Sequence, residues 1–447
     1  MWSNLARLDY DLATGAITLG CDVSGQLALR YARIGATVYV ASHDIALAPF
    51  VPLEVDETTR ASIRDAGWSV GGFSLIRGIE VCRGGETVTL RDDVVRTGPD
   101  YPPETCPETA MLDYLGARMP AGTVTVELSA GFDSRAALAA TLACKETHEI
   151  AAFSEGPADS LDVTVAREIC RRYGISFEHR LTPPADTAFI LDSWSRTAAS
   201  SNGHIDISIL ASRQPSCGTT ICGDGGEIHR GYYYPYTPFQ RLIDRDGAAT
   251  EARAAIGRKL PGGDRLDAAV SRLAAPGTSG REVMDRFYIA ERFGIWNQKL
   301  TRDGEARISP FYARRAMGRL GQGLWSRPHV NLIARHLAKA ADLPINGEAA
   351  PASYAGGLLR TGWLETGVLL GKIRRRLRRR ADLQDSRADV MSTLIRGLPA
   401  GFLHHPAQSW TDYGASRFLS LYAEAASSSG AAAQPAPVTQ GLPGQSH

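Results

Sequence analysis

Residues 124–143 have the sequence VTVELSAGFDSRAALAATLA. Up to Leu128, β-branched and apolar residues alternate, which predicts a buried strand. From Asp133 onward the run is rich in alanine and leucine, which predicts a helix with Asp133 and Ser134 as candidate capping residues. Between the two lies a turn of small residues, Ser129-Ala130-Gly131. We therefore expect a strand, a tight turn and a helix in direct succession.

This turn has the chemistry of a phosphate site. Backbone amides and the positive end of the helix dipole converge at such a turn, which favours a phosphate or pyrophosphate group. Ser129 and Ser134 can add hydroxyl donors, and Asp133 can hold Mg²⁺. An ordinary connection between a strand and a helix accounts for this segment equally well. The segment matches neither a Walker loop nor a Rossmann fingerprint, because no Gly-Lys-Ser/Thr follows and the glycine spacing differs.

Size and composition favour a multidomain globular enzyme. The chain has 447 residues, 44% of them hydrophobic, and a net charge of +1. A balanced charge gives no general attraction to nucleic acid or membranes, and neither is expected as a partner. The seven cysteines include no CxxC pair, which argues against a disulfide framework or a zinc site. With no signal sequence and no apolar run of membrane-spanning length, the expected location is the cytoplasm.

The middle of the chain predicts repeated strand–helix units. After the first unit, residues 149–154 predict a second buried strand, and residues 160–173 predict a helix that Gly174 ends. Such repeats indicate an α/β fold with a doubly wound, mostly parallel sheet. If phosphates lie at Ser129, the end of the second strand, at Phe153 and Ser154, is where an adenine would rest. A simple strand end is the equal alternative. His204 further on could approach the nucleotide or be a capping or solvated residue.

The first hundred residues predict a smaller, β-rich domain. Residues 55–67 predict a helix that Asp56 caps, and residues 74–79 predict a strand. Our expected domain boundaries place this domain at 1–100, a second domain with a helical C-terminal part at 101–424, and a disordered tail at 425–447. The basic run 372–380 fits a solvated helix face, a contact with an anionic peptide or RNA, or a membrane-surface patch.

A second glycine-rich turn follows a predicted strand that ends at Cys222. Its sequence is Gly223-Asp224-Gly225-Gly226-Glu227. Two carboxylates in such a turn, at the carboxyl end of a strand, suit Mg²⁺ and phosphate. Alone it could equally be a hairpin turn, but its pairing with the first turn about 90 residues upstream makes the nucleotide interpretation more specific.

Together the two turns resemble the SGGxDS and GxGxDE signatures of the N-type ATP pyrophosphatases, which include asparagine synthetases, β-lactam synthetases and lasso-peptide cyclases. The segment EARISPF at 305–311 resembles a third motif of this group. The resemblance implies an adenine nucleotide alpha hydrolase-like fold that binds ATP and Mg²⁺. It implies Asp133 and Glu227 as metal ligands. The nucleotide-binding positions that it implies are Leu128, Ser129, Ala130, Gly131, Phe132, Asp133, Ser134, Phe153, Ser154, Gly223, Gly225 and Gly226.

The chain also departs from these signatures. Ala130 replaces a glycine, and Glu227 stands where the group has aspartate. Arg135 replaces a small residue, and we expect its guanidinium beside the triphosphate. Asp224 is the expected catalytic residue for proton transfer, and Glu291 on a predicted helix could line the acceptor pocket, although a solvated helix face explains Glu291 as well. No segment matches the lysine-bearing loop of the group.

The N-terminal domain resembles the later half of an asparagine synthetase glutaminase domain, an Ntn-like fold, through segments such as Asp22-Val-Ser-Gly-Gln26. A glutaminase of this type needs an N-terminal cysteine, and position 2 is Trp2. We therefore expect a truncated domain that releases no ammonia from glutamine.

The expected activity is an ATP-dependent, AMP-forming carbon–nitrogen ligase of specialised metabolism. It would adenylate a carboxylate of a peptide or small molecule and join it to an amine of the substrate, as a lasso-type macrolactam cyclase does. A leader-peptide-handling protein or a protease would be a fitting partner. An ammonia-dependent amidating synthetase and a non-catalytic nucleotide-binding scaffold remain alternatives.

Overall fold

A computed structural model describes residues 6–98, 106–180, 187–204, 218–234, 248–258, 260, 263–274, 277–295, 305–317, 327–345, 350–352 and 410–429. The expected boundary near residue 100 and the basic run 372–380 lie outside these described residues.

The N-terminal region consists of two antiparallel sheets packed on a shared core. We call this pair of sheets the N-terminal sandwich. One sheet has the strand order β1-β2-β6-β7 and the other β4-β3-β5. Leu19, Val88 and Leu90 of the first sheet meet Tyr31 and Cys82 of the second in a buried cluster. The strands are β1 (Ala6–Tyr10), β2 (Ile17–Cys21), β3 (Leu29–Ile34), β4 (Thr37–Ala41), β5 (Glu80–Cys82), β6 (Thr87–Leu90) and β7 (Val94–Thr97).

The predicted helix cap at Asp56 is confirmed, whereas the predicted strand at 74–79 is wrong. Helix α1 (Glu57–Ala66) begins after Asp56, whose side chain accepts a hydrogen bond from the Thr59 amide at 2.9 Å. Residues 74–79 form no strand but only an isolated bridge between Ile76 and Val55. The Ser74 hydroxyl accepts the Ile76 amide at 3.0 Å, and this local bond competes with strand pairing.

The centre of the chain is an α/β unit with a five-stranded parallel sheet in the order β10-β9-β8-β11-β12, as expected. Its strands are β8 (Val124–Glu127), β9 (Ile150–Glu155), β10 (Ser176–Arg180), β11 (Gly218–Ile221) and β12 (Glu305–Ile308). The chain winds outward from β8 to β10 and then returns to the other side of β8. Loops that follow β8 and β11 therefore meet at the carboxyl edge where the winding reverses, the usual place for a ligand in such sheets.

Helices surround this sheet and the N-terminal sandwich. Those described after α1 are α2 (Pro107–Gly116), α3 (Phe132–Cys144), α4 (Leu161–Tyr173), α5 (Thr187–Ser200), α6 (Ala248–Gly257), α7 (Asp264–Leu273), α8 (Gly280–Phe287), α9 (Arg327–His336) and α10 (Trp410–Ser429). A six-residue π-helix, Tyr288–Phe293, continues α8. Helix α4 confirms its predicted end, because Gly174 follows it with φ 67°, and its first turn is capped by Ser160, whose side chain accepts from the Val163 amide.

The last described helix packs on the N-terminal sandwich. Phe418 and Tyr422 of α10 are fully buried in a cluster with Leu47 and Ile63, and the Tyr422 hydroxyl donates to the Val51 carbonyl at 2.8 Å. The helix continues to Ser429, so the first five residues of the expected tail are helical. None of the helices that the structure describes is both long and apolar enough to cross a bilayer.

Candidate functional site

The first turn lies directly after β8 and is fixed by its own side chains. The Ser129 and Ser134 hydroxyls lie 2.8 Å apart, and the Gly131 amide donates to Ser129 Oγ at 3.0 Å. The Ser129 amide donates to Ser134 Oγ at 3.1 Å. Helix α3 begins after Gly131 with no side-chain cap, so the predicted capping by Asp133 and Ser134 is wrong. Their side chains are used elsewhere, Ser134 towards Ser129 and Asp133 towards His329.

The amides expected to face a phosphate therefore donate within the protein. Those of Ser129 and Gly131 bond to the serine hydroxyls, and the amide of Ala130 donates to Asp162 Oδ1 on α4 at 2.8 Å. A phosphate at this turn would have to exchange with these bonds. Asp162, in the first turn of a helix that follows a strand, was not among the predicted site residues.

The second turn packs tightly against the first, as its pairing in the sequence predicts. A Cβ added at Gly223 would lie 2.5 Å from the Ser134 amide nitrogen and 2.6 Å from the Asp133 carbonyl carbon. Gly225 has φ +94° and lies against the Phe293 ring. The glycines thus permit a backbone contact between two loops that are about 90 residues apart in sequence.

Asp133 lies at the centre of this contact. Its Oδ1 accepts a hydrogen bond from His329 Nε2 at 2.8 Å, and its side chain is 21% exposed. A Cβ added at Gly226 would collide with Asp133 Oδ1 and would lie 2.7 Å from His329 Nε2. The backbone of the second turn therefore covers the aspartate–histidine pair.

The two predicted metal ligands lie on the two facing loops. Glu227, next to Gly226, accepts from the Tyr288 hydroxyl at 3.0 Å. Among the described residues, no three His, Cys, Asp or Glu side chains form a metal-binding group. Mg²⁺ is usually held by one or two carboxylates together with phosphate oxygens and water. The donor set therefore fits a metal that binds together with a nucleotide, with Asp133 and Glu227 as the ligands that the protein supplies.

The Arg135 side chain, which is expected beside a triphosphate, turns away from the loop edge and bonds to backbone carbonyls. The side chain is fully buried and donates to the Leu343 carbonyl at 2.7 Å and to the Ala130 carbonyl at 3.2 Å. It also bonds to the carbonyl of Pro344. Burial lowers the pKa of the guanidinium to about 10, which leaves it charged at neutral pH. Arg135 therefore ties the first turn to the segment after α9.

Asp224 belongs to a network of charges at the carboxyl edge of the sheet. Its Oδ2 accepts from Arg307 Nε at 3.1 Å and from Cys222 Sγ at 3.2 Å. Arg307 on β12 also pairs with Glu127 Oε2 at the end of β8, at 2.6 Å. Arg307 is 3% exposed, whereas the two carboxylates are about one-third exposed. A buried cation thus holds two carboxylates that reach solvent beside the first turn.

Glu291 lies in the π-helix but contacts the N-terminal sandwich rather than the two turns. Its Oε2 accepts from the Gly71 amide at 2.7 Å, and Arg272 lies 3.4 Å from Oε1. Burial raises the pKa of the Glu291 carboxyl, and the charge of Arg272 opposes that rise. The carboxylate that is expected to line the acceptor pocket is 1% exposed and anchors the Gly71 loop.

The proposed adenine positions are brought beside the first turn. The Leu128 amide donates to the Phe153 carbonyl at 2.9 Å, and both side chains are buried. Ser154 pairs with His179 of β10 in the sheet register. The Arg180 guanidinium lies 3.7 Å from the centroid of the Phe153 ring. An adenine could contact this edge, although the Phe153 carbonyl is already engaged by Leu128.

His204, by contrast, approaches neither turn. It is fully buried, its carbonyl accepts from the Ser69 amide at 2.8 Å, and the charge of Arg30 acts on its ring.

The contact residues that were not predicted include Glu127, Asp162, Tyr288, Arg307 and His329. The only signal for Arg307 was its place in the EARISPF segment, and no local pattern distinguished the others. Comparison with models of known protein families gives no match, and a search of curated proteins likewise finds no similar sequence.

Proposed function

We propose that the protein is an ATP-dependent ligase that activates a carboxylate as its adenylate and joins it to an amine. The observation that carries this proposal is the contact of the two glycine-rich turns at the edge where the parallel sheet changes direction. Asp133 lies beneath Gly226 there, and Glu227 is the next residue. Two carboxylates on facing loops beside a helix N-terminus suit a metal–pyrophosphate group.

In this proposal the nucleotide binds across the first turn, with its adenine at the Leu128–Phe153 edge. The substrate carboxylate attacks the α-phosphorus and pyrophosphate leaves. An amine then attacks the acyl carbon and AMP leaves. Bound Mg²⁺ would neutralise the charge that develops on the phosphates. Asp133 and Glu227 would hold that Mg²⁺ and so position the phosphates that it binds.

Asp224 is the proposed group for accepting the amine proton, alone or with Glu127. Both carboxylates are about one-third exposed and share Arg307 as a counter-charge. That arrangement keeps two acceptor oxygens in fixed positions beside the first turn. The finer fold that we propose is an adenine nucleotide alpha hydrolase-like domain, which the strand order of the parallel sheet supports, preceded by an Ntn-like domain.

Two ligase reactions are possible, and they differ in the source of the nitrogen. In both enzymatic versions the amine does not come from glutamine. An amine on the substrate itself would give a lactam or macrolactam, and free ammonia would give a primary amide. A cytoplasmic location and a peptide-processing partner are part of the macrolactam version. The third possibility is a scaffold that binds the nucleotide without catalysing ligation.

An ATP–pyrophosphate exchange assay with candidate carboxylates, peptides included, tests the ligase directly. We expect exchange that requires Mg²⁺, a carboxylate substrate and Asp133, but not glutamine. Binding of ATP without exchange for any carboxylate would favour the scaffold. Release of ammonia from glutamine by the purified chain would contradict the proposed nitrogen source.

A further inference from the structure

His329 joins three parts of the candidate site that are far apart in sequence. It lies in the first turn of α9, and its side chain is fully buried. The ring stacks on Phe311 at 4.6 Å and on Phe132 at 5.2 Å, with interplanar angles of 22° and 14°. Phe132 begins α3 in the first signature, and Phe311 belongs to the EARISPF segment. Two stacked faces hold the plane of the imidazole in one orientation.

The fixed ring in turn fixes a carboxylate. Asp133 Oδ1 lies 2.8 Å from His329 Nε2. A carboxylate can only accept, so Nε2 must carry the proton and donate it. Because Oδ1 is held, the imidazole restricts the directions in which the second carboxylate oxygen can point.

The second turn depends on the same pair. No side chain fits at Gly226, where a Cβ would collide with Oδ1 and approach His329 Nε2 to 2.7 Å. The backbone that leads into Glu227 therefore rests on the Asp133–His329 bond. Moving the imidazole would change the orientation of the Asp133 carboxylate and the position of the loop that carries Glu227.

We propose that His329 is a positioning residue for metal–nucleotide binding, acting through Asp133. This inference rests on the proposed function. Outer hydrogen-bond partners of metal-binding carboxylates and histidines commonly change metal affinity 10- to 100-fold when they are removed. A structural contact alone would contribute to stability and leave the affinity for the metal unchanged in the folded protein.

The test is titration of Mn²⁺ in the presence of a non-hydrolysable ATP analogue, with free Mn²⁺ followed by electron paramagnetic resonance. His329→Gln keeps an amide donor near the position of Nε2, whereas His329→Leu and His329→Asn cannot place a donor there. We expect Leu and Asn to weaken Mn²⁺ binding by about 10- to 100-fold. Gln should remain within about threefold of the unchanged protein, in line with a retained donor. His336→Leu, on the same helix, is the matched control and should have no effect.

The outcomes separate this inference from the proposed function. If the unchanged protein binds no Mn²⁺ with the analogue, the proposed function fails. If the unchanged protein binds Mn²⁺ with the analogue, and the Leu and Asn variants bind Mn²⁺ equally well, the proposed function stands and the role of His329 is contradicted. Thermal unfolding of each variant is measured alongside, and His329→Asn keeps the test available should His329→Leu fail to fold.

Discussion

The side chain of Gln26 bonds to both backbone polar groups of Arg307. Its Nε2 donates to the Arg307 carbonyl at 2.6 Å, and its Oε1 accepts from the Arg307 amide at 3.0 Å. Arg307 lies on β12, an edge strand, so the amide of Gln26 takes the place of a neighbouring strand. The N-terminal sandwich thereby fixes the residue whose guanidinium holds Asp224 and Glu127.

Replacing Gln26 should uncouple the sandwich from this charge network. Gln26→Met keeps the volume but leaves a buried amide and carbonyl without partners, and we expect a loss of about 1–3 kcal/mol in the free energy of unfolding. Gln26→Glu should lose at least as much, because it places a carboxylate against the Arg307 carbonyl. Urea unfolding measures both. Unchanged stability in Gln26→Met would mean that the contact does not hold Arg307.

Substitution of Arg135 tests whether this residue stabilises the fold or contacts a bound triphosphate. Arg135→Met removes the donors to three buried carbonyls, and we expect it to cost about 3 kcal/mol in the free energy of unfolding. Arg135→Lys keeps the charge but not the planar set of donors, so it should recover only part of that loss. ATP affinity of the remaining folded protein should change little. A large loss of ATP affinity with unchanged stability would restore the predicted contact with the triphosphate.

Because the two turns approach closely, adding one methyl group at Gly223 should lower the free energy of unfolding. Gly223→Ala places a Cβ 2.5 Å from the Ser134 amide nitrogen, so the turns must separate, at a cost of about 1–3 kcal/mol. Nucleotide binding should weaken with it. Gly116→Ala is the control, because no atom lies within 4 Å of its added Cβ. Equal stability of the two variants would show that the turns are not in contact.

Acid should destabilise the protein through His204. Burial and the charge of Arg30 hold the pKa of His204 well below its ordinary 6.5. In the folded protein the ring is neutral, whereas the unfolded chain takes up a proton below about pH 6.5, so stability falls as the pH drops through that value. The slope is about 1.4 kcal/mol per pH unit for one such group. Burial lowers the pKa of His43 to about 4 and adds in the same direction.

The variant His204→Met isolates this contribution. Among the described residues neither nitrogen of His204 has a hydrogen-bond partner, so an apolar side chain should be tolerated at neutral pH. We expect a shallower loss of stability between pH 6.5 and pH 5. Burial raises the pKa of Asp22 to about 6, which acts in the opposite sense in both proteins and cancels in their difference. Exposed His148→Met is the control, and a parallel pH profile for His204→Met would contradict the assignment.

Local sequence was enough for most of the elements. The strand–turn–helix at 124–143, the Asp56 cap, the end of α4 at Gly174 and the parallel sheet follow from spacing and capping chemistry. The meeting of the two turns was expected only from their resemblance to a paired signature. The direction of individual side chains did not follow. Arg135 points to a carbonyl 208 residues away, and Asp133 bonds to a histidine 196 residues away. Packing partners at such separations leave no periodic signal. The strand predicted at 74–79 is absent for a local reason, because the Ser74 hydroxyl accepts the Ile76 amide and competes with strand pairing.

Whether this edge binds a metal–nucleotide is the central question, and isothermal titration of the whole protein with MgATP answers it most directly. We predict saturable binding of one nucleotide per chain, weakened at least tenfold in Asp133→Asn, which keeps the size of the side chain but loses its charge. The same titration with Asp113→Asn, a change on α2 away from the turns, should match the unchanged protein. Absence of MgATP binding, or binding that Asp133→Asn leaves intact, would contradict the account.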